Sequence, residues 1–146
     1  MRSSQLERAL RTHRETRDVF VGVFASDQLP VCPRQKKPLA LIVNTDPSHK
    51  PGLHWCAFYI TTDCVYFFDP YGLPPLVKSF QTLLKSRRRN EVFGKRLQGR
   101  GSVCGHYCIY YILAMVRGKD FDLFGDDLNA NDRIVRNVVT SNFRVT

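Results

Sequence analysis

The sequence lacks most of the features that mark membrane, secreted or disulfide-stapled proteins. It has no run of about 18 apolar residues, so no membrane-spanning helix is expected. The start, Met1 to Gln5, is polar and charged and has no apolar core of a secretory signal. Its five cysteines are an odd number, and three of them lie in strongly apolar runs, where a free thiol packs as a small hydrophobe. We therefore expect reduced cysteines and an intracellular protein.

Several common site signatures are missing as well. There is no phosphate-binding loop, no dinucleotide fingerprint and no Gly-x-Ser-x-Gly elbow. No tight Cys-x-x-Cys pair accompanies Cys104, His106 and Cys108, so a zinc module is the weaker interpretation and no metal is expected. These absences favour a function that rests on side chains alone.

Acidic residues are scarce. The chain has 13 acidic against 22 basic residues, a formal net charge of +9. A positive field attracts polyanions, and nucleic acid is the usual one. Charge alone is non-specific, however, and a basic surface also serves solubility. Both interpretations stay open.

The size and composition are those of one globular domain, residues 1–146. A chain of 146 residues with 43% hydrophobic and 24% charged residues can bury a core without disulfides or metal. The run from Cys104 to Val116 is apolar on all sides, which predicts a buried helix. Near the end of the chain, Asn131 is predicted to cap a last helix.

A hairpin is the best-defined element in the sequence. Trp55–Ile60 and Val65–Phe68 are aromatic and β-branched, as strands are. A turn at residues 61–62 places His54 directly across from Asp69, with Cβ atoms about 4.5–5.5 Å apart. The carboxylate then holds one imidazole nitrogen and leaves the other free as a base.

Cys104 follows a glycine-rich loop and opens the apolar helix. The helix N-terminus carries partial positive charge and unpaired N–H groups, which stabilise a thiolate. Gln98 lies six residues earlier on the same loop. Its amide is placed to stabilise an oxyanion together with the Cys104 backbone N–H.

Each of these residues alone has a structural explanation. A cysteine at a helix start and a histidine before a tryptophan are more often packing residues than catalytic ones. The combination indicates thiol catalysis, with Cys104 as nucleophile and His54 as base. Asp69 would orient the base, and Gln98 would help to form the oxyanion hole.

Three blocks of sequence resemble the adenain family, the adenovirus maturation proteases with their relatives in Maverick/Polinton-type DNA elements, within the clan of the SUMO-type proteases. They are Gly52–Trp55, Phe67–Gly72 and Gln98–Cys108, and the resemblance runs from about residue 20 to about residue 118. It implies an α+β fold in which a central mixed β-sheet packs against a buried helix that carries the catalytic cysteine at its N-terminus. It also implies a peptidase that cleaves after small residues, typically glycine, with Trp55 lining a narrow substrate channel.

The same resemblance implies substrates among structural-protein precursors of a virus or mobile element, and a location in the host nucleus or the virion. It implies no cofactor for the chemistry, a monomer, and stimulation by DNA, with which the net charge agrees. No single feature selects among the basic candidates for DNA contact, which are Lys36, Lys37, Arg87, Arg88 and Arg89.

Two departures from the family and two alternative functions remain. The family's acid is often Glu, whereas here it is Asp69, and no cysteine lies near Arg87 to take a disulfide-linked activating peptide. The same catalytic residues also suit a protease that releases ubiquitin-like proteins. A basic nucleic-acid-binding protein on a protease fold is a further alternative, which the intact set of catalytic residue types argues against.

Overall fold

The computed structural model describes residues 1–50, 54–118 and 123–145. Gly52 and Leu53, part of one block that carries the family resemblance, lie outside these ranges. The elements in chain order are α1 (Ser3–Thr12), β1 (Phe20–Phe24), β2 (Leu39–Asn44), β3 (Trp55–Ile60), β4 (Cys64–Phe68), α2 (Lys78–Leu84), β5 (Arg89–Phe93), α3 (Cys104–Arg117) and α4 (Leu128–Asn142).

The five strands form one mixed sheet, as expected. They lie in the order β1-β2-β3-β4-β5. The inner neighbours β2–β3 and β3–β4 are antiparallel, while the outer pairs β1–β2 and β4–β5 are parallel. Strand β3 is central and is buried from Cys56 to Ile60. A strand covered on both faces is apolar at every position, which explains its sequence.

Alternate side chains of the hairpin enter two separate cores. Ala57 and Phe68 face the core formed with α1, α3 and α4. Phe58 and Phe67 face the core formed with α2, where both rings contact Phe80. This division follows from the two-residue period of a strand. The sheet is thus the middle layer of an α+β fold.

Helix α3 is the buried helix that the apolar run predicts. It begins at Cys104 and packs against β3. The rings of Tyr111 and Phe68 stack with centroids 4.5 Å apart and planes 9° from parallel, which ties α3 to β4. The helix ends at Gly118, whose φ of 64° is left-handed. This is the common way for a helix to stop.

The predicted register of the hairpin is wrong by two residues. The observed partners are Phe58 with Phe67 and Ile60 with Val65. The reason is the turn, which the N–H of Thr61 closes by donating to the carbonyl of Cys64 at 2.9 Å. The Thr61 hydroxyl reinforces this closure by accepting from the Cys64 N–H at 3.1 Å.

A slip of two residues keeps every side chain on its own face. Continued past the strand ends, the observed register sets Cys56 opposite Asp69 and makes His54 its diagonal neighbour. Diagonal neighbours remain within reach of long side chains. The error in register therefore leaves the predicted pair on one face of the sheet.

Helix α4 begins earlier than predicted. Asp127 is its N-cap and accepts a hydrogen bond from the N–H of Ala130 at 3.1 Å. Asn131 is therefore inside the first turn and does not cap the helix. It is buried, and its amide bonds to Leu97 and Gly125 instead.

The chain turns sharply after β4, and this turn is fixed to the segment before Gln98. The N–H of Gly72 donates to the carbonyl of Asp69 at 2.8 Å. The carbonyl of Pro70 accepts from the N–H groups of Leu97 and Gln98 at 2.9 and 3.0 Å. Two segments distant in sequence are thereby held together beside β4.

Replacing Gly72 by alanine should destabilise the protein more than the same change at Gly118. Both glycines are left-handed, with φ of +68° and +64°, a conformation that costs other residues roughly 1–2 kcal/mol. At Gly72 the added methyl group would also lie 2.7 Å from backbone atoms of Lys95 and Arg96, whereas Gly118 has open space. We expect a loss in the free energy of unfolding of about 3 kcal/mol for Gly72→Ala and about 1 kcal/mol for Gly118→Ala, measured by urea denaturation. Equal losses would contradict this account of the turn.

Candidate active site

The predicted site residues meet in one cavity. A cavity of about 690 Å³ is lined by Cys104, His54, Trp55, Asp69 and Gln98, among others. Cys104 begins α3 and His54 directly precedes β3, so different elements place these two residues. The packing of α3 on β3 therefore decides whether the thiol and the imidazole meet.

His54 is bound on both sides. Its Nε2 lies 2.9 Å from Oδ1 of Asp69, and its side chain lies close enough to the thiol of Cys104 for each group to shift the pKa of the other. Because Nε2 is taken by the carboxylate, Nδ1 is the ring nitrogen left for the thiol. The imidazole thus joins the carboxylate to the sulfur.

Asp69 is held firmly in a buried place. It is 3% exposed. Its Oδ1 accepts a second hydrogen bond, from the N–H of Tyr71 at 2.8 Å, and its Oδ2 accepts the thiol of Cys56 at 3.5 Å. The ring of Tyr71 also contacts the His54 ring, with centroids 5.1 Å apart. Few rotations remain open to either member of the pair.

The pKa of His54 reflects these contacts. Burial alone would lower it, but hydrogen bonds and charge from Asp69 and Cys104 outweigh burial and raise the pKa to about 9. A protonated imidazole is therefore the stable form near neutral pH.

The thiol of Cys104 shifts in the opposite direction. Burial would raise its pKa, but the hydrogen bond with His54, the backbone N–H groups of Trp55 and Gly105, and the charge of His54 together lower it. Both shifts favour a thiolate beside an imidazolium. Such a pair is a ready nucleophile with its proton donor in place.

Gln98 is buried beside this pair. It is 1% exposed, and its Nε2 donates to the carbonyl of Gly101 at 2.6 Å. The reversed amide would set two oxygens against each other, so this contact fixes which atom is nitrogen. An amide nitrogen has two N–H donors, so one N–H of Gln98 remains for another acceptor. Its Oε1 has no hydrogen-bond partner among the described residues.

Trp55 lies at the wall between this cavity and a second one. It lines both, and its indole N–H donates to the carbonyl of Met1 at 3.0 Å. The second cavity has a volume of about 550 Å³ and is mostly lined by other residues. The indole is thus anchored next to Cys104.

The basic candidates lie away from the cavity and differ from one another. Lys36, Lys37, Arg88 and Arg89 are exposed. Arg87 is half-buried, and its guanidinium donates to the carbonyls of Thr61, Cys32 and Pro33. Arg87 therefore holds backbone in place, whereas the other four present their charge to solvent.

His54, Cys56 and Asp69 bring one potential metal-ligand atom each to within 4.8 Å of one another. The hydrogen bonds from His54 and Cys56 to the carboxylate account for this proximity.

All five cysteines are free thiols. Within the part of the chain that the structure describes, no helix has both the length and the apolarity to span a bilayer.

Sequence reasoning missed three contributors to the site. Cys56 and Tyr71 bind Asp69, and the observed register was needed to see the first of them. Asp132, on α4, accepts the N–H groups of Gly99 and Gly101 beside Gln98. A signal for Asp132 did exist, because it stands one and two helical turns before Val135 and Val139 on the apolar face of α4.

Comparison with known proteins finds similarity to viral proteases. A family model described as the adenovirus endoprotease matches residues 20–86, a span that contains His54 and Asp69. A putative thiol protease of Acanthamoeba polyphaga mimivirus is 28% identical over 128 residues, covering 70% of this chain and 42% of that protein. Two crystal structures of the ASFV protease, one with selenomethionine, are 22% identical with TM-scores of 0.49 and 0.48, and cover 75% of this chain and 44% and 45% of theirs. The chain thus spans less than half the length of these relatives.

Alkylation of Cys104 should depend on His54. We expect the wild-type thiol to react with iodoacetamide with a pH midpoint below the ordinary value of 9.0, because its pKa is lowered. In His54→Ala both contributions of the imidazole are lost, and burial is opposed only by the backbone N–H groups of Trp55 and Gly105. The pKa of Cys104 should then rise by about one unit or more, so that the rate at pH 7 falls about tenfold or more. The measurement is mass spectrometry of the peptide that contains Cys104, in a Cys32→Ser background with Cys104→Ala as the blank. Identical pH profiles with and without the imidazole would refute the ion pair.

Proposed function

We propose that this chain, which is similar in sequence to the adenovirus endoprotease family and to a putative viral thiol protease, is a cysteine endopeptidase with Cys104 as its nucleophile. One observation carries the proposal. The imidazole of His54 is hydrogen-bonded to Asp69, and the Cys104 thiol lies close enough to raise the pKa of that imidazole, with all three side chains lining a single cavity. This is the arrangement by which proteins activate a thiol for acyl transfer.

The reaction would begin from the thiolate. The sulfur of Cys104 attacks the carbonyl carbon of the substrate peptide bond, and the carbonyl oxygen becomes an oxyanion. The backbone N–H of Cys104 and the free N–H of Gln98 stabilise that oxyanion. The imidazolium of His54 then gives its proton to the leaving amine, the C–N bond breaks, and a thioester remains.

The second half reverses the roles. Neutral His54 takes a proton from water, and the hydroxide attacks the thioester carbonyl. The C–S bond breaks, the acid product leaves, and the thiolate and imidazolium are restored. Asp69 keeps the ring in the orientation that serves both halves, since its own oxygens are fixed by Tyr71 and Cys56.

The substrate would carry small residues at the cleaved bond. In support, Trp55 lies at the wall of the cavity beside Cys104, and its indole is anchored by Met1. A large side chain next to the scissile carbonyl would compete with that ring for space. By analogy with the adenovirus family, the natural substrates would be precursors of viral or mobile-element structural proteins, cleaved in the nucleus or the particle.

A glycine-ending probe with an electrophilic warhead tests the enzyme class. We expect it to modify the wild type and Cys32→Ala equally, and neither Cys104→Ala nor His54→Ala. Hydrolysis of a matching peptide should fall about 10²–10³-fold in Gln98→Ala, since one oxyanion donor is lost. Hydrolysis should also decline above about pH 9 as His54 loses its proton. If the probe left the wild-type protein unmodified, the proposed enzyme class would be wrong. A strong preference for a folded ubiquitin-like probe over the short peptide would instead favour a deconjugating enzyme.

DNA would act as a stimulator through the exposed basic residues. The combined change Lys36→Gln, Lys37→Gln, Arg88→Gln and Arg89→Gln should abolish stimulation by duplex DNA and leave hydrolysis without DNA unchanged, because none of the four lines the cavity. Arg87→Gln should instead lower the free energy of unfolding, since its donors hold three carbonyls. Peptide hydrolysis against DNA and salt concentration is the measurement. Full stimulation of the fourfold variant would place the DNA elsewhere.

A further inference from the structure

The loop that carries Gln98 is held from outside by the first turns of α4. Asp132 accepts the N–H of Gly99 on Oδ1 at 3.0 Å and the N–H of Gly101 on Oδ2 at 2.9 Å. The carboxylate is 6% exposed. It also accepts the hydroxyl of Tyr107 at 2.8 Å. One buried side chain thus binds the loop at two points and helix α3 at a third.

The two glycines of the loop are required by this contact. Neither lies among the glycines with positive φ. A Cβ at Gly99 would lie 2.4 Å from Oδ1 of Asn129, and a Cβ at Gly101 would lie 2.9 Å from Oδ2 of Asp132. Glycine therefore serves here to let the loop backbone reach the side chains of α4.

A chain of contacts leads from Asp132 to the amide of Gln98. The residue whose N–H is held by the carboxylate, Gly101, is the residue whose carbonyl receives Nε2 of Gln98 at 2.6 Å. Moving Gly101 would therefore turn the Gln98 amide. Leu97, which precedes Gln98, is also tied to α4, because its carbonyl accepts from the side-chain amide of Asn131 at 3.1 Å.

We propose that Asp132 is a positioning residue for the oxyanion donor, acting through Gly101 on the amide of Gln98. The proposal rests on the proposed function, in which Gln98 meets the oxyanion. A carboxylate this close to a developing negative charge would oppose it if it were free. Here its oxygens are occupied by three donors, so its effect is to fix the loop.

Asp132→Asn is the informative change because it keeps the volume of the side chain. An amide has one oxygen in place of two, so its NH₂ group must face either the Gly99 or the Gly101 N–H, and one loop contact is lost. We expect kcat for peptide hydrolysis to fall about tenfold to a hundredfold with KM changed less than about twofold. Asp127→Asn is the matched control, since this acid also lies at the start of α4 but caps it without touching the loop.

Alkylation separates positioning from general damage. Iodoacetamide reacts at Cys104 by direct displacement and forms no oxyanion. Its rate at Cys104 should therefore stay within about twofold of wild type in Asp132→Asn. In a Gln98→Ala background the same change should cost little further, because the amide through which it acts is absent. Gly101→Ala, which pushes the loop away from Asp132, should repeat the loss in kcat if Asp132→Asn folds poorly.

A readout without catalysis keeps this proposal distinct from the proposed function. The ¹⁵N side-chain amide signal of Gln98, assigned by its loss in Gln98→Ala, should be slow to exchange with solvent in wild type and faster in Asp132→Asn. A wild type that does not hydrolyse peptides would defeat the proposed function, and the amide signal would still decide the positioning role. The positioning role of Asp132 would be overturned if Asp132→Asn changed neither kcat nor the exchange of the Gln98 amide. Equal losses in peptide hydrolysis and in alkylation of Cys104 would also overturn it, because they would mean general damage to the site.

Discussion

The site depends on keeping a proton on His54 in a place where burial opposes it. Two anionic neighbours, the Asp69 carboxylate and the Cys104 sulfur, offset that cost on opposite sides of the ring. Two anions around one cation leave an excess of negative charge. Backbone N–H groups of Tyr71, Trp55 and Gly105 meet that excess. Backbone donors cannot move independently as a lysine side chain can, so the surrounding chain has to be rigid.

The fold supplies this rigidity through the hairpin and one helix. The proposed base and acid, His54 and Asp69, both belong to the β3–β4 region, so their separation is set by sheet geometry. The proposed nucleophile, Cys104, belongs to α3, whose distance from β3 is set by the small Ala57 and by the stack of Phe68 on Tyr111. Cores of native density transmit such constraints with little give. The separation between Cys104 and His54 is therefore a consequence of core packing outside the cavity.

The sequence allowed prediction of the parts of the site that follow from local pattern. Strand alternation and the apolar run placed His54, Asp69 and Cys104 at the ends of their elements, and the observed site retains them there. The register was wrong because Thr61 and Cys64 close the turn one residue later than expected, through a backbone hydrogen bond that the Thr61 hydroxyl reinforces. The two-residue error in register did not alter the predicted site, because side chains of a strand return to the same face every two residues. The meeting of Cys104 with His54 depends on tertiary packing, which no local pattern encodes.

The contribution of α4 shows where such prediction stops for a physical reason. A polar residue on a helix ordinarily faces solvent, and only its position on the apolar face of α4 sets Asp132 apart in the sequence. Its burial is stable only because three donors from two other segments converge on it, and convergence of distant segments is invisible along the chain. The family match ends at residue 86, so the half of the site built from Gln98, the glycine loop and Cys104 rests on geometry. In that half the Asp132 carboxylate holds the loop of Gln98, the proposed oxyanion donor. A negative side chain in this place is consistent with that role only if the fixed position of the amide contributes more to catalysis than the nearby negative charge costs.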